Sequence, residues 1–293
     1  MRYRQCLTRA LTLIRVDFVN RSKETANDVN KRLKARTLND ITQPALLYAK
    51  FKMDAPAMGA LVEEIRKRCV KHEEYSSLLD DCLNCLFDIR RRLIAPIVQR
   101  KITDLAMTKE IIPFARASIG FAKDFCNDEY DLFCSYFPAG GDEIYSCLFG
   151  ICEPLFENLR PRIIRETQLS VLCELCILLQ SHAPNPDDED EENEVRGLDF
   201  SIVLRSVLDS AQTRVVFRAQ NVIRQEIQNY TPKEEDVNYP HNNQILAQSR
   251  VDDADENGTK TLHQGWYPTL RKSIWLLSTI YRLINVCQSY HHS

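Results

Sequence analysis

Apolar residues recur along this chain at helical spacing almost everywhere, and strand alternation is almost absent. Leu7, Leu11, Ile14 and Phe18 follow the i, i+4, i+7 steps of one buried helix face. Leu61, Ile65 and Cys69, then Leu78, Cys82, Cys85 and Ile89, extend that pattern across residues 58–100. Asp54 before Ala55-Pro56 predicts an N-cap followed by an early-turn proline. Pro96 and Pro113 are expected to kink or end helices, because proline lacks the donor for the i−4 bond. Residues 114–137 predict an aromatic-rich helix or helix pair, and Pro138-Ala-Gly-Gly141 a break. From Asp142 the face Ile144, Leu148, Ile151, Leu155, Leu159 runs on, punctuated by Pro154 and Pro161, and residues 163–179 stay helical. The cleanest segment is 201–230, where Leu204, Leu208, Ala211, Val215, Ala219 and Val222 share one face.

Two stretches interrupt the pattern. Residues 187–194 are seven-eighths acidic, a run that repels itself and stays solvated. Residues 231–263 mix prolines, asparagines and acids without periodicity and predict a long loop. The expected organisation is therefore all-α: a helical bundle over 1–182, an acidic disordered linker at 183–197, a long amphipathic helix at 198–230, a polar loop at 231–263, and a last helical segment at 264–293. No fixed-period repeat points to a solenoid.

Composition sharpens this picture. Eight glycines among 293 residues fall well below the usual share of about 7%, so tight turns and phosphate loops are scarce. A formal charge of −3 gives no basic stripe for nucleic acid. The longest apolar stretch, Trp275 to Cys287, is broken by Arg282 and is too short to span a bilayer. Arg2, Arg4 and Arg9 with no acid before Asp17 resemble a mitochondrial presequence, against the simpler reading of an ordinary amphipathic helix. The sequons at Asn20, Asn229 and Asn257 would matter only in a secretory lumen.

Candidate chemistry is sparse. Cys82/Cys85 and Cys173/Cys176 have the C-x-x-C spacing of a structural zinc site. Both fall in apolar helical patterns without zinc-knuckle glycines, where reduced core cysteines give the same letters, as the 11 cysteines do generally. The six histidines form no ligand motif, and His291-His292 reads as tail. Glu63-Glu64 and Asp80-Asp81 point in different directions around a helix and make poor acid–base pairs. Arg90-Arg91-Arg92 reads as a solvated face, with contact to anionic lipid or an acidic partner as the alternative. Trp266-Tyr267-Pro268 is expected to anchor the preceding loop or to contact a partner helix. No catalytic, cofactor-binding or metal residues are assigned.

Several stretches together resemble a known family. They are CLTRALTLIRVDFVN (Cys6 to Asn20), LLYAKFKMDAPAMGALVEEIRKR followed by EEYSSLLDDC (Leu46 to Cys82), LRPRIIRETQLSVLCELCILL (Leu159 to Leu179), VVFRAQNVIRQEIQNYTPKEEDVNYP (Val215 to Pro240) and GWYPTLRKSIWLLSTIYRLI (Gly265 to Ile284). In order and spacing they are similar to the middle region of subunit 3 of the conserved oligomeric Golgi (COG) complex. The resemblance implies an elongated helical rod without enzymatic activity, a subunit of a vesicle-tethering complex in retrograde intra-Golgi transport. It implies peripheral association with the cytosolic face of the Golgi, and as partners the other COG subunits, SNAREs, Rab GTPases and golgins. The family's chain extends beyond this one at both ends, the resemblance fades after Ile284, and residues 285–293 look unrelated. A helix cut short there would leave Trp275, Leu276 and Ile280 uncovered. The alternatives are a cytosolic helical scaffold unrelated to tethering, or a zinc-binding protein built on the two C-x-x-C pairs.

Overall fold

The computed structural model describes residues 2–35, 42–138, 143–182, 198–237 and 266–289. These residues form eight α-helices and no strand: α1 (Arg2–Ala35), α2 (Thr42–Cys69), α3 (Glu74–Leu105), α4 (Ile111–Tyr136), α5 (Glu143–Arg165), α6 (Leu169–Gln180), α7 (Phe200–Val222) and α8 (Pro268–Ser289). A π-helical turn, Ile223–Gln228, and a 3₁₀ turn, Glu234–Val237, follow α7. The acidic run, His291-His292, Asn257 and the loop from 238 to 265 lie outside the described residues.

The chain divides into two compact units. The first comprises Met1–Leu159 and Asn193–Val203, the second Arg160–Glu192 and Leu204–Ser293. In the first, α1, α2, α3 and α4 pack on one another. The face begun by Leu7, Leu11 and Ile14, each half-buried, closes into the core at Phe18 and Val29. On α2 the buried positions Leu47, Phe51, Ala55, Met58, Val62 and Ile65 step by three and four residues. Gly59 meets α4 at close range: a Cβ placed there would lie 2.6 Å from the Ser135 carbonyl oxygen, so only glycine fits this crossing.

The prolines behave differently from their sequence reading. Pro56 lies inside α2, which starts at Thr42, so Asp54 is no N-cap. Its carboxylate instead accepts a 2.5 Å hydrogen bond from the Thr25 hydroxyl of α1. Pro96 sits within α3, and Pro154 and Pro161 within α5, without ending either helix. Each gives up one backbone bond, but buried residues on both sides, Ile94 and Val98 around Pro96 and Cys152 and Leu155 around Pro154, hold the helix in register. Pro113 stands in the first turn of α4, where its missing N–H has no helical acceptor to lose. Residues 111–136 form one helix, not a pair.

The arginine triplet is also corrected. Arg91 and Arg92 are exposed, but Arg90 is 2% exposed and buried in the first unit. Its Nε donates to Glu129 Oε2 at 3.1 Å, its Nη2 to Glu129 Oε1, and its Nη1 to the Leu47 carbonyl at 3.0 Å. The guanidinium carbon lies 4.9 Å from the Tyr48 ring centre and 4.6 Å from that of Phe51. One cation thus joins α2, α3 and α4. Burial alone would lower its pKa, and the adjacent Glu129 carboxylate outweighs that and raises it.

Candidate partner-binding surface

The second unit is assembled around α6, whose buried Leu169, Leu172, Cys173, Leu175, Cys176 and Leu179 share one broad face. The connection leading into α6 is held by the Glu166 side chain, which accepts from the backbone N–H groups of Thr167 and Gln168 at 2.7 and 2.8 Å. Two arginines of α7 hold the same connection, Arg214 donating to the Glu166 carbonyl at 3.1 Å and Arg218 to that of Thr167 at 3.0 Å. Helix α8 packs on α6, and its Leu276 and Leu283 are buried.

The start of α8 meets the π-helical turn. Pro268 opens α8, where no N–H is needed, and the Arg271 N–H donates to the Tyr267 carbonyl at 3.0 Å. Tyr267 packs edge-on against Tyr230, ring centres 6.1 Å apart, which ties together the two ends of the polar loop. Tyr267 thus supplies an anchoring contact, the first of the two roles expected of the Trp266-Tyr267-Pro268 cluster. The Tyr230 hydroxyl donates to Asp236 at 2.5 Å, and the Lys233 N–H donates to the same carboxylate at 2.8 Å. The hydrogen bond between them pushes Tyr230 up to about 12 and holds Asp236 below the usual carboxylate range. Lys272 pairs with Glu226 at 2.6 Å and lies 4.4 Å from the centre of the Trp275 ring. Glu226, Tyr230, Arg271, Lys272 and Trp275 line a cleft of about 690 Å³.

Beside this cleft α8 shows an apolar strip. Leu270, Leu277 and Tyr281 are 50%, 67% and 60% exposed, and Ile274 between them is half-buried. Their 4-3-4 spacing places them on one face, away from Leu276 and Leu283. Of the three residues expected to stand uncovered, Leu276 is buried and Ile280 half-buried, while Trp275 is exposed, with Lys272 over its ring. The signal in the sequence was the second periodicity, one face for α6 and one for solvent, within a helix apolar on both.

The C-x-x-C pairs are divided between the units. Cys82 is buried and Cys85 half-buried on α3, while Cys173 and Cys176 are buried on α6. Burial pushes the Cys82 thiol up to about 12 and that of Cys173 up to about 11, which disfavours the thiolate a metal would need. Among the described residues, no group of three or more His, Cys, Asp or Glu side chains could hold a metal ion. Another thiol contact was not anticipated: Cys126 and Cys152, both buried in the first unit, stand with sulfurs 3.6 Å apart.

These features define an all-α, helical-bundle protein whose open chemistry is surface chemistry. The chain belongs to the family described as conserved oligomeric Golgi complex subunit 3, C-terminal, whose model matches residues 44–292. That match runs past Ile284, so residues 285–292 are part of the family pattern, against the sequence expectation. Curated relatives named conserved oligomeric Golgi complex subunit 3 are 27% identical in Mus musculus, 26% in Homo sapiens and 28% in Schizosaccharomyces pombe. Each alignment covers 97% of this chain and 39–40% of the relative, so the chain spans about two-fifths of their length. No solved structure matches it.

Proposed function

We propose that this chain acts as a non-enzymatic helical scaffold within a vesicle-tethering complex serving retrograde intra-Golgi transport. The observation that carries the reading is the family match over residues 44–292. The relatives bear the name of a Golgi complex subunit, and this chain aligns with them over nearly all its length. Its partners in this reading are the other subunits of that complex, with SNAREs, Rab GTPases and golgins as trafficking factors. It works at the cytosolic face of the Golgi as a peripheral protein; no helix among the described residues is long and apolar enough to cross a membrane. The exposed strip of α8 supports a binding role, since apolar side chains at this spacing gain free energy by being covered.

Affinity purification of the tagged chain from cells tests the proposal. Sibling subunits of the complex should co-purify, and the tag should concentrate on Golgi membranes. Recovery as a lone monomer, dispersed through the cell, would refute it.

A further inference from the structure

We infer that the exposed face of α8 docks an acidic amphipathic helix of a partner protein in a coiled-coil-like pairing. This rests on the scaffold reading and names the chemistry of one partner. Leu270, Ile274, Leu277 and Tyr281 follow the alternating four- and three-residue spacing of heptad core positions, which a second helix covers by inserting its own apolar residues between them. The strip continues for three turns on the side of α8 opposite the buried Leu276 and Leu283. It is thus a second seam on a helix already held by its first.

Charge selects the occupant. Helix α8 contains Arg271, Lys272 and Arg282 and no acidic residue. Lys272 is engaged by Glu226, whereas Arg271, one residue past Leu270, is exposed and has no ion pair among the described residues. In a heptad register Arg271 occupies the flanking position whose counterpart on a partner helix forms the interhelical salt bridge. A glutamate or aspartate there is attracted, and a lysine is repelled. Trp275, one turn after Arg271, is 38% exposed and lines the cleft.

A defined pair of probes tests this on the full chain. One synthetic helical peptide carries leucine at the heptad core positions and glutamate at the flanking ones; its twin carries lysine in place of glutamate. Binding is read by fluorescence anisotropy, alongside flotation with phosphatidylcholine vesicles containing phosphatidylserine and sedimentation of the chain alone. The acidic peptide should bind at least about tenfold more tightly than its twin, because the like-charged pairing is penalised. Leu277→Asp should abolish that binding, and Arg271→Glu should reverse the preference between the peptides. Both positions are exposed, so circular dichroism should show each variant folded. The inference is overturned by equal binding of the two peptides, by binding of neither, by capture on vesicles that the acidic peptide does not displace, or by self-association that Leu277→Asp abolishes. Failure here with sibling subunits still co-purifying would remove this inference and leave the scaffold reading standing.

Discussion

Replacing Arg90 with methionine isolates what the buried ion pair contributes. Methionine keeps most of the aliphatic stem between Tyr48 and Phe51 and removes the charge and all three donated hydrogen bonds. The Leu47 carbonyl belongs to α2, where the helix supplies a donor, so little is lost there. Glu129 is different. It is 4% exposed, and without Arg90 its carboxylate is a buried charge lacking its cation. Breaking a buried pair from one side costs about 3–5 kcal/mol, a large share of the roughly 5–15 kcal/mol that stabilises a typical domain. The double variant Arg90→Met/Glu129→Leu removes both charges together and should lie within about 1 kcal/mol of the parent, since apolar replacement of a buried pair is often neutral or better. Urea unfolding followed by far-UV circular dichroism measures these differences, and hydrogen exchange should localise the loss to α2, α3 and α4. Both tryptophans, Trp266 and Trp275, belong to the second unit, so their fluorescence is a control that should barely move. A single variant costing under about 1 kcal/mol, or a double variant as unstable as the worse single, would refute the account.

Gly59→Ala should destabilise the first unit by about 1–3 kcal/mol, because the new Cβ meets the Ser135 backbone carbonyl rather than a side chain that can swing away; thermal unfolding reads this, and a neutral result would show that the crossing can relax. Alkylation of the native chain at mildly alkaline pH, mapped by mass spectrometry, should modify exposed Cys6 first and leave Cys82 and Cys173 protected, their thiols held up by burial; early labelling of Cys82 or Cys173 would contradict their placement. The folded pKa of Asp236 is depressed, so its contribution is present above the ordinary aspartate range and is lost as pH falls through the folded value. Exchange protection around residues 230–237 should accordingly drop on acidification, and Tyr230→Phe should flatten that dependence; an unchanged profile in the variant would rule the clasp out.

The sequence by itself determined that this protein is helical, and it determined most faces. Periodicity needs only local geometry, so Phe18, Leu148, Leu155, Leu204 and Val215 could be read as core without knowing what they face. The break near Pro138 and the anchoring by Tyr267 were legible for the same reason, since turn residues and aromatic clusters act over short range. Family membership was legible because it resides in the order of such segments. Tertiary structure alone decided the rest. Arg90 resembles its exposed neighbours until Glu129, 39 residues away on another helix, compensates its burial. Pro56 looks like the start of a helix and Pro96 like a kink or end, because the sequence shows the missing N–H but not the packing on either side that outweighs it. On α8, hydropathy alone could not say which of two apolar faces meets α6; only the packing of Leu276 and Leu283 leaves Leu270, Leu277 and Tyr281 in solvent. Long-range contact determines which charges are paired and which apolar faces remain open, and a one-dimensional pattern carries no record of it.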